Sequence, residues 1–378
     1  MQPAAPRSRA GADGSKARVS LARTCSKILQ GRRSARSVAV VRTRLRDVAA
    51  RAGVSEATVS RVVNDRPGVN DATRAVVRRV LDEMGYEQPG LRPNPRAGLI
   101  GLMVPELDNP IFPAFAQTIE TRLAIHGFTS VLCTATREGV HENVYVDMLL
   151  DRGVAGIVVV SGLNADTRAD HQLYSQLLDR GMPMVFLNGY VEGLHASFVS
   201  ADDRYAADLV VRHLATLGHE RIGVVTGPHR YLPVQRKLEG YRDAMRELFG
   251  SHREDLVAES LFGVEGGHAA AAELLDKGCT ALLCASDLMA LGAIRMAVER
   301  GFDVPGDVSI VGYDDTPLMA YVNPPLTTVR QPVRAMSEAA VRALLERLHG
   351  TRSQRHEYLF RPELVVRAST GPVWSSRP

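Results

Sequence analysis

The sequence predicts a small all-α helix-turn-helix unit followed by a larger α/β body built on parallel sheets. Three observations carry this expectation. From Arg46 to Asn64 the stretch RDVAARAGVSEATVSRVVN sets its apolar residues at helical spacing on both sides of a glycine. Beyond residue 98, seven short apolar runs alternate with amphipathic stretches of helical period. The charge divides at the same place: residues 1–98 hold 20 Lys and Arg against 8 Asp and Glu, whereas residues 99–378 hold 26 against 34.

In the first half of the helix-turn-helix stretch, Val48, Ala49 and Ala52 share one face, and Gly53 supplies the permissive backbone of a tight turn. Ser55 is placed to cap the next helix, whose Val59, Val62 and Val63 make a buried stripe. The opposite face presents Glu56, Ala57, Ser60, Arg61 and Asn64. Periodicity alone leaves that face as solvated surface, but a basic front on an acidic body also suits a module that binds a polyanion. After the loop Asp65–Asn70, Asn70 or Asp71 can cap a third helix with Val76, Val77, Val80, Leu81 and Met84 on its apolar side. A bundle of about 45 residues with one stripe per helix is marginal alone.

Residues 1–42 read as a disordered basic extension: residues 1–40 hold nine Lys and Arg and too few large apolar side chains to pack. Their Arg- and Ser-rich make-up mimics a transit peptide, and a mis-called gene start explains it equally well. The sequence shows no run of about 18 apolar residues, so no membrane span is expected and a cytoplasmic protein is. Four cysteines, at 25, 133, 279 and 284, are too scattered for a disulfide framework or a zinc site and should pack as small apolar residues.

The apolar runs of the body are Leu99–Val104, Ser130–Cys133, Gly156–Val160, Pro183–Leu187, Arg221–Val225, Ala281–Cys284 and Val308–Val311. Unbroken apolar strands alternating with helices imply parallel sheets covered on both faces, and this length exceeds what one doubly wound sheet needs. The strands run out into Asn109, Ser161, Asn188, Asp202, Ser286, Asp287, Asp314 and Asp315. Polar residues at the carboxyl ends of parallel strands converge on a ligand crevice, although such residues also start loops and cap helices, and about half are expected to do only that.

The stretch around Ser55 closely resembles the DNA-binding headpiece of the lac repressor (LacI/GalR) family, whose recurring wording is DVAxxAGVSxxTVSRVxN. The likeness continues through Val69, Thr73, Arg74 and Met84–Tyr86, and on to Val365–Thr370. DNPIFPAF at 108–115, GHERIGVVTGP at 218–228, SDLMALGAIR at 286–295, DVSIVGYDDTPL at 307–318 and PPLTTVRQP at 324–332 match it as well. The resemblance implies a headpiece at 43–87, a linker at 88–98, a two-lobed sensor of the periplasmic-binding-protein type (type I) at 99–370, and a tail at 371–378. It implies a cytoplasmic regulator, expected to repress, in which a homodimer reads a pseudo-palindromic double-stranded DNA operator under the control of a small effector, expected to be a sugar. Glu56, Ala57 and Arg61 would then reach base edges, while Arg44, Ser55, Thr58, Ser60 and Asn64 would hold phosphates.

By position in the family, effector contacts fall on Phe112, Asn188, Arg236, Phe262, Asp287 and Asp314. Arg236 and Asp314 stand foremost, because a guanidinium fork and a carboxylate can each hold two adjacent sugar hydroxyls. Ile111 stands where some relatives carry an aromatic, which weakens nucleobase stacking as an alternative. The linker departs from the family: Pro89, Pro93 and Pro95 are incompatible with a two-turn hinge helix, so an extended tether is expected, with Arg92 and Arg96 at phosphates and Leu91 as the candidate wedge. No GxSxG, P-loop, GxGxxG or HExxH motif is present, so neither catalysis, metal nor cofactor is expected. A solute-binding protein of the sugar-uptake type is the alternative.

Overall fold

A computed structural model describes residues 45–63, 68–84, 98–134, 141–350 and 356–373. The expectations for residues 1–42, Arg44, Asn64 and linker residues 88–97 lie outside the described residues. The chain divides into two compact units on either side of Gly90.

The first unit contains three helices, α1 (Leu45–Ala52), α2 (Glu56–Val63) and α3 (Asp71–Glu83). Val48, Ala49, Val59, Val62, Val77 and Val80 are buried together, so each helix contributes one face to a common core. Asn70 caps α3 by accepting a 2.7 Å hydrogen bond from the Thr73 amide. Two details depart from the periodicity reading. Val76 is 44% exposed and lies off the core, and Val63 is only half-buried, packing at the edge of the core beside Leu81 and Met84.

The second unit holds two six-stranded sheets. In the first, the order is β11-β5-β4-β3-β1-β2 and every pairing is parallel. Its strands are β1 (Leu99–Val104), β2 (Thr129–Thr134), β3 (Gly156–Val160), β4 (Met184–Leu187), β5 (Ser197–Ala201) and β11 (His356–Phe360). In the second the order is β12-β10-β9-β8-β6-β7, with strands β6 (Ile222–Thr226), β7 (Val257–Glu259), β8 (Ala281–Cys284), β9 (Ser309–Asp314), β10 (Thr327–Arg330) and β12 (Glu363–Val365). β12 pairs antiparallel with β10, so the second sheet is not wholly parallel.

The helices between them are α4 (Ile111–Ile125), α5 (Glu142–Asp151), α6 (Gln172–Asp179), α7 (Asp203–Thr216), α8 (Leu232–Phe249), α9 (Val264–Asp276), α10 (Asp287–Glu299) and α11 (Val333–Leu348). They cover both faces of each sheet, giving four apolar clusters. Strands β3, β4, β5, β6, β8 and β9 are buried at every position, which is why their sequences do not alternate. The chain passes between lobes three times, after β5, after β10 and after β11. β5, β7, β10, β11 and β12 were not expected as strands, since their Ser, Thr, Glu and His content breaks the apolar runs. The last described segment also runs past Thr370: the Val373 amide donates to the Leu217 carbonyl at 2.9 Å.

Candidate functional site

In the first unit, α1 and α2 meet at Gly53, whose φ of +66° is the left-handed conformation that glycine adopts without strain. Ser55 Oγ accepts the Thr58 amide at 3.2 Å and lies 2.9 Å from Thr58 Oγ1, so the serine starts α2 as its cap. With Val59 and Val62 turned inward, α2 presents Glu56, Ala57 and Arg61 to solvent and holds Thr58 and Ser60 half-buried. Five of the eight residues expected at DNA, together with the cap Ser55, therefore line one helix, while Arg44 and Asn64 are not described.

In the second unit, the carboxyl ends of the strands border a cavity of about 730 Å³. Phe112, Asn188, Phe262 and Asp314, four of the six expected effector residues, line it, as do Asn109, Ser161 and Ser286 among the strand-end residues. Backbone geometry marks the same places. Ser161 (φ +49°), Asn188 (φ +55°) and Asp314 (φ +122°) take positive φ at the ends of β3, β4 and β9, conformations that L-residues hold only when their surroundings impose them. Gly227 has a similar reason to be glycine: a Cβ there would fall about 2.2 Å from the Phe262 ring, which lies on its backbone.

Asp314 is buried, and its Oδ1 accepts Gln331 Nε2 at 2.7 Å. Burial, and after it the charge of Asp287, holds the Asp314 carboxyl well above the usual carboxylate range. Gln331 belongs to the cavity lining, and its buried Oε1 has no hydrogen-bond partner among the described residues. Beside them Lys237 Nζ lies 2.5 Å from Asp203 Oδ1 and 3.8 Å from the Tyr313 ring centre, and Tyr313 donates to the same Asp203 oxygen at 2.7 Å. At the cavity edge Tyr231 and Phe262 have ring centres 5.9 Å apart, and Arg230 of the second lobe reaches Asp166 of the first at 3.0 Å.

Two expected effector residues are elsewhere. Arg236 is turned away from the cavity and makes a two-bond ion pair with Glu357. On α8 the buried stripe runs Val234, Leu238, Tyr241, Met245, and Lys237, three residues after Val234, falls beside that stripe while Arg236 falls opposite. Counting from the stripe would have selected Lys237. Asp287 is buried beneath the cavity, where Oδ1 accepts Thr328 Oγ1 at 2.5 Å and Oδ2 accepts the Thr316 amide at 2.8 Å. Of the other strand-end residues, Asp202 caps α7 through the Tyr205 amide, and Ser286 both caps α10 and faces the cavity. Gln331 and Lys237 also line the cavity and are absent from the expected set; Gln331 lies inside the stretch PPLTTVRQP, and Lys237 directly follows Arg236.

Residues 44–88 match the family model described as bacterial regulatory proteins, lacI family, and residues 211–370 match the model for a periplasmic binding protein-like domain. The HTH-type transcriptional regulator reg1 of Streptomyces lividans is 55% identical over 340 residues, covering 89% of this chain and 99% of the relative. The chain belongs to the lacI family. Among solved structures, the transcriptional regulator CelR in complex with cellobiose is 33% identical with a TM-score of 0.66, covering 87% of this chain and all of the other. The lac repressor dimer bound to operator and the anti-inducer ONPF is 28% identical with a TM-score of 0.64, covering 87% of this chain and 99% of that one. As a lacI-family member the chain is a DNA-binding transcriptional regulator, and the relatives carry names of regulators rather than enzymes. The uptake-protein alternative finds no support, since the headpiece matches along with the sensor. No helix among the described residues is long and apolar enough to cross a membrane.

Proposed function

We propose that this regulator is a repressor whose operator affinity is set by an uncharged sugar held between the lobes. The observation that carries the reading is the cavity itself. A carboxyl and amide pair, Asp314 and Gln331, stands opposite Asn188, with aromatic faces at Phe112, Tyr231 and Phe262, and such a lining matches a ring bearing hydroxyls at its rim and C–H groups on its faces. The cellobiose held by CelR supports the ligand class, and the operator held by the lac repressor supports the DNA role. Glu56, Ala57 and Arg61 are proposed to read base edges, with Ser55, Thr58 and Ser60 at phosphates.

A homodimer acting on a pseudo-palindrome fits the same reading, and Leu318 (66% exposed) and Tyr321 (85% exposed) offer an apolar surface on the second lobe for a second copy. Such a protein would work where the DNA is, in the cytoplasm. The experiment is a titration of the full chain against an operator selected from random duplexes, with and without neutral sugars such as cellobiose and ribose. A sugar that changes operator affinity must have its own affinity changed by operator in the same ratio, typically about 5–150-fold. Sugar binding without that reciprocity defeats the reading.

A further inference from the structure

We propose that Arg367, on the segment that follows the last strand, is a positioning residue for the cavity: it clamps Asp315 and thereby fixes the strained turn that presents Asp314. This inference rests on the reading of the cavity as the ligand site. Asp314 and Asp315 are consecutive residues at positive φ, +122° and +53°. Such a pair is costly for L-residues and persists only where neighbours over-determine it.

The neighbours are identifiable. The buried Asp315 carboxylate accepts Arg330 Nε on Oδ2 at 2.7 Å and Arg367 Nη2 on Oδ1 at 2.6 Å. One residue on, the Thr316 amide and hydroxyl both donate to Asp287 Oδ2. The two guanidiniums are not equivalent. Arg330 is 49% exposed, whereas Arg367 is 17% exposed and is anchored again by Nη1 to the Leu326 carbonyl at 2.7 Å and by its own amide to Thr327 Oγ1 at 2.9 Å.

The segment carrying Arg367 is itself a strap along the second sheet. Ser369, fully buried, donates to the Ile310 carbonyl at 2.6 Å and accepts the Thr327 amide at 2.8 Å. The Gly371 carbonyl lies 3.0 Å from Nε2 of the buried His219. A carboxylate gripped from both oxygens cannot rotate, so the strap transmits its rigidity through Asp315 to the Asp314 carboxyl and its Gln331 partner. Without Arg367, Asp315 keeps one partner that solvent can reach, and the turn relaxes toward ordinary φ.

The test uses the full chain carrying Arg367→Met or Arg367→Lys, calorimetric titration with cellobiose, ribose and other neutral sugars, and amide hydrogen exchange at residues 314–316. Arg367→Met should weaken the best wild-type sugar at least about tenfold and speed exchange at Asp315 and Thr316. Ligand-free affinity for a selected operator should stay within about twofold of wild type, since the headpiece is untouched, and Arg367→Lys should recover part of the loss. Unchanged sugar affinity with unchanged exchange overturns the proposal. So does a parallel fall of thermal midpoint, operator affinity and sugar affinity, which marks a merely structural residue. If the wild type takes none of the sugars, the sugar reading fails, and the exchange arm alone decides: faster exchange supports the clamp and unchanged protection overturns it.

Discussion

Arg236 on α8 and Glu357 on β11 meet through two hydrogen bonds, Nη1 to Oε1 at 2.6 Å and Nη2 to Oε2 at 2.7 Å, and so tie the second lobe to the first. Both side chains are mostly buried, so the pair is screened little by water. Arg236→Met should leave a carboxylate without its partner and destabilise the sensor by about 2–4 kcal/mol. Glu357→Gln should cost less, because the amide keeps one acceptor. Urea unfolding of both variants checks this, and a cavity ligand should still bind to each; loss of binding with full stability would return Arg236 to the site.

Lys237 and Asp203 give a sharper test because they stand inside the cavity wall. Lys237→Met strands the Asp203 carboxylate with only the Tyr313 hydroxyl as donor, and should destabilise the fold by about 3–5 kcal/mol. Adding Asp203→Asn should recover a large part of that loss, since the stranded charge is removed with its partner. A double-mutant cycle by chemical unfolding measures the coupling, and additive effects would show that the 2.5 Å contact carries no net energy.

Much of the architecture was legible in the residues, and the misses have a common cause. Strands buried on both faces, such as Gly156–Val160 and Ala281–Cys284, stand out as unbroken apolar runs. β5, Ser197–Ala201, does not, because Ser197 and Ser200 break the apolar run although both are buried, and nothing local signals that burial. In the cavity, strand-end position brings Asn188 and Asp314 into the lining, since the ends of parallel strands converge. It could not separate Asp287, which faces inward to Thr328, from its neighbour Ser286, which faces the cavity. One residue on a helix is a rotation of about 100°, and the difference between Arg236 and Lys237 is that rotation.

The Asp287 carboxyl sets a pH dependence. Burial raises it to about 6, with bonds from Thr328 and Thr316 pulling the other way. Below the ordinary carboxylate range both folded and unfolded forms are protonated, and the group contributes nothing. Between about pH 4 and 6 the unfolded chain has released this proton while the folded chain retains it, so stability falls as pH rises through this window. Asp287→Asn should flatten that slope. Thermal midpoints of both proteins from pH 4 to 7 check it, and identical slopes would show that the group titrates normally.

If Leu318 and Tyr321 form part of a self-association surface, replacing either by Asp should shift the full chain from dimer toward monomer. A desolvated charge at the centre of an apolar contact opposes association far more than it disturbs an exposed monomer surface. Sedimentation velocity at micromolar protein is the measurement, and an unchanged dimer in both variants would move the interface elsewhere.

Arg61 tests the first unit independently of the sensor. It is exposed on α2, on the side opposite buried Val59 and Val62, beside Glu56 and Ala57 at the start of the same helix. A guanidinium there can hold a guanine edge in the major groove through two hydrogen bonds, and sequence-specific contacts of that kind are worth about 1–3 kcal/mol. Arg61→Ala should therefore weaken binding to a selected operator about 5–150-fold while leaving random duplex nearly unchanged. A contact to phosphate instead weakens both duplexes alike and lowers the salt dependence by about one counterion. Titrations on both duplexes at two salt concentrations separate these outcomes, and equal losses with a reduced salt slope would transfer base reading to Glu56 and Ala57.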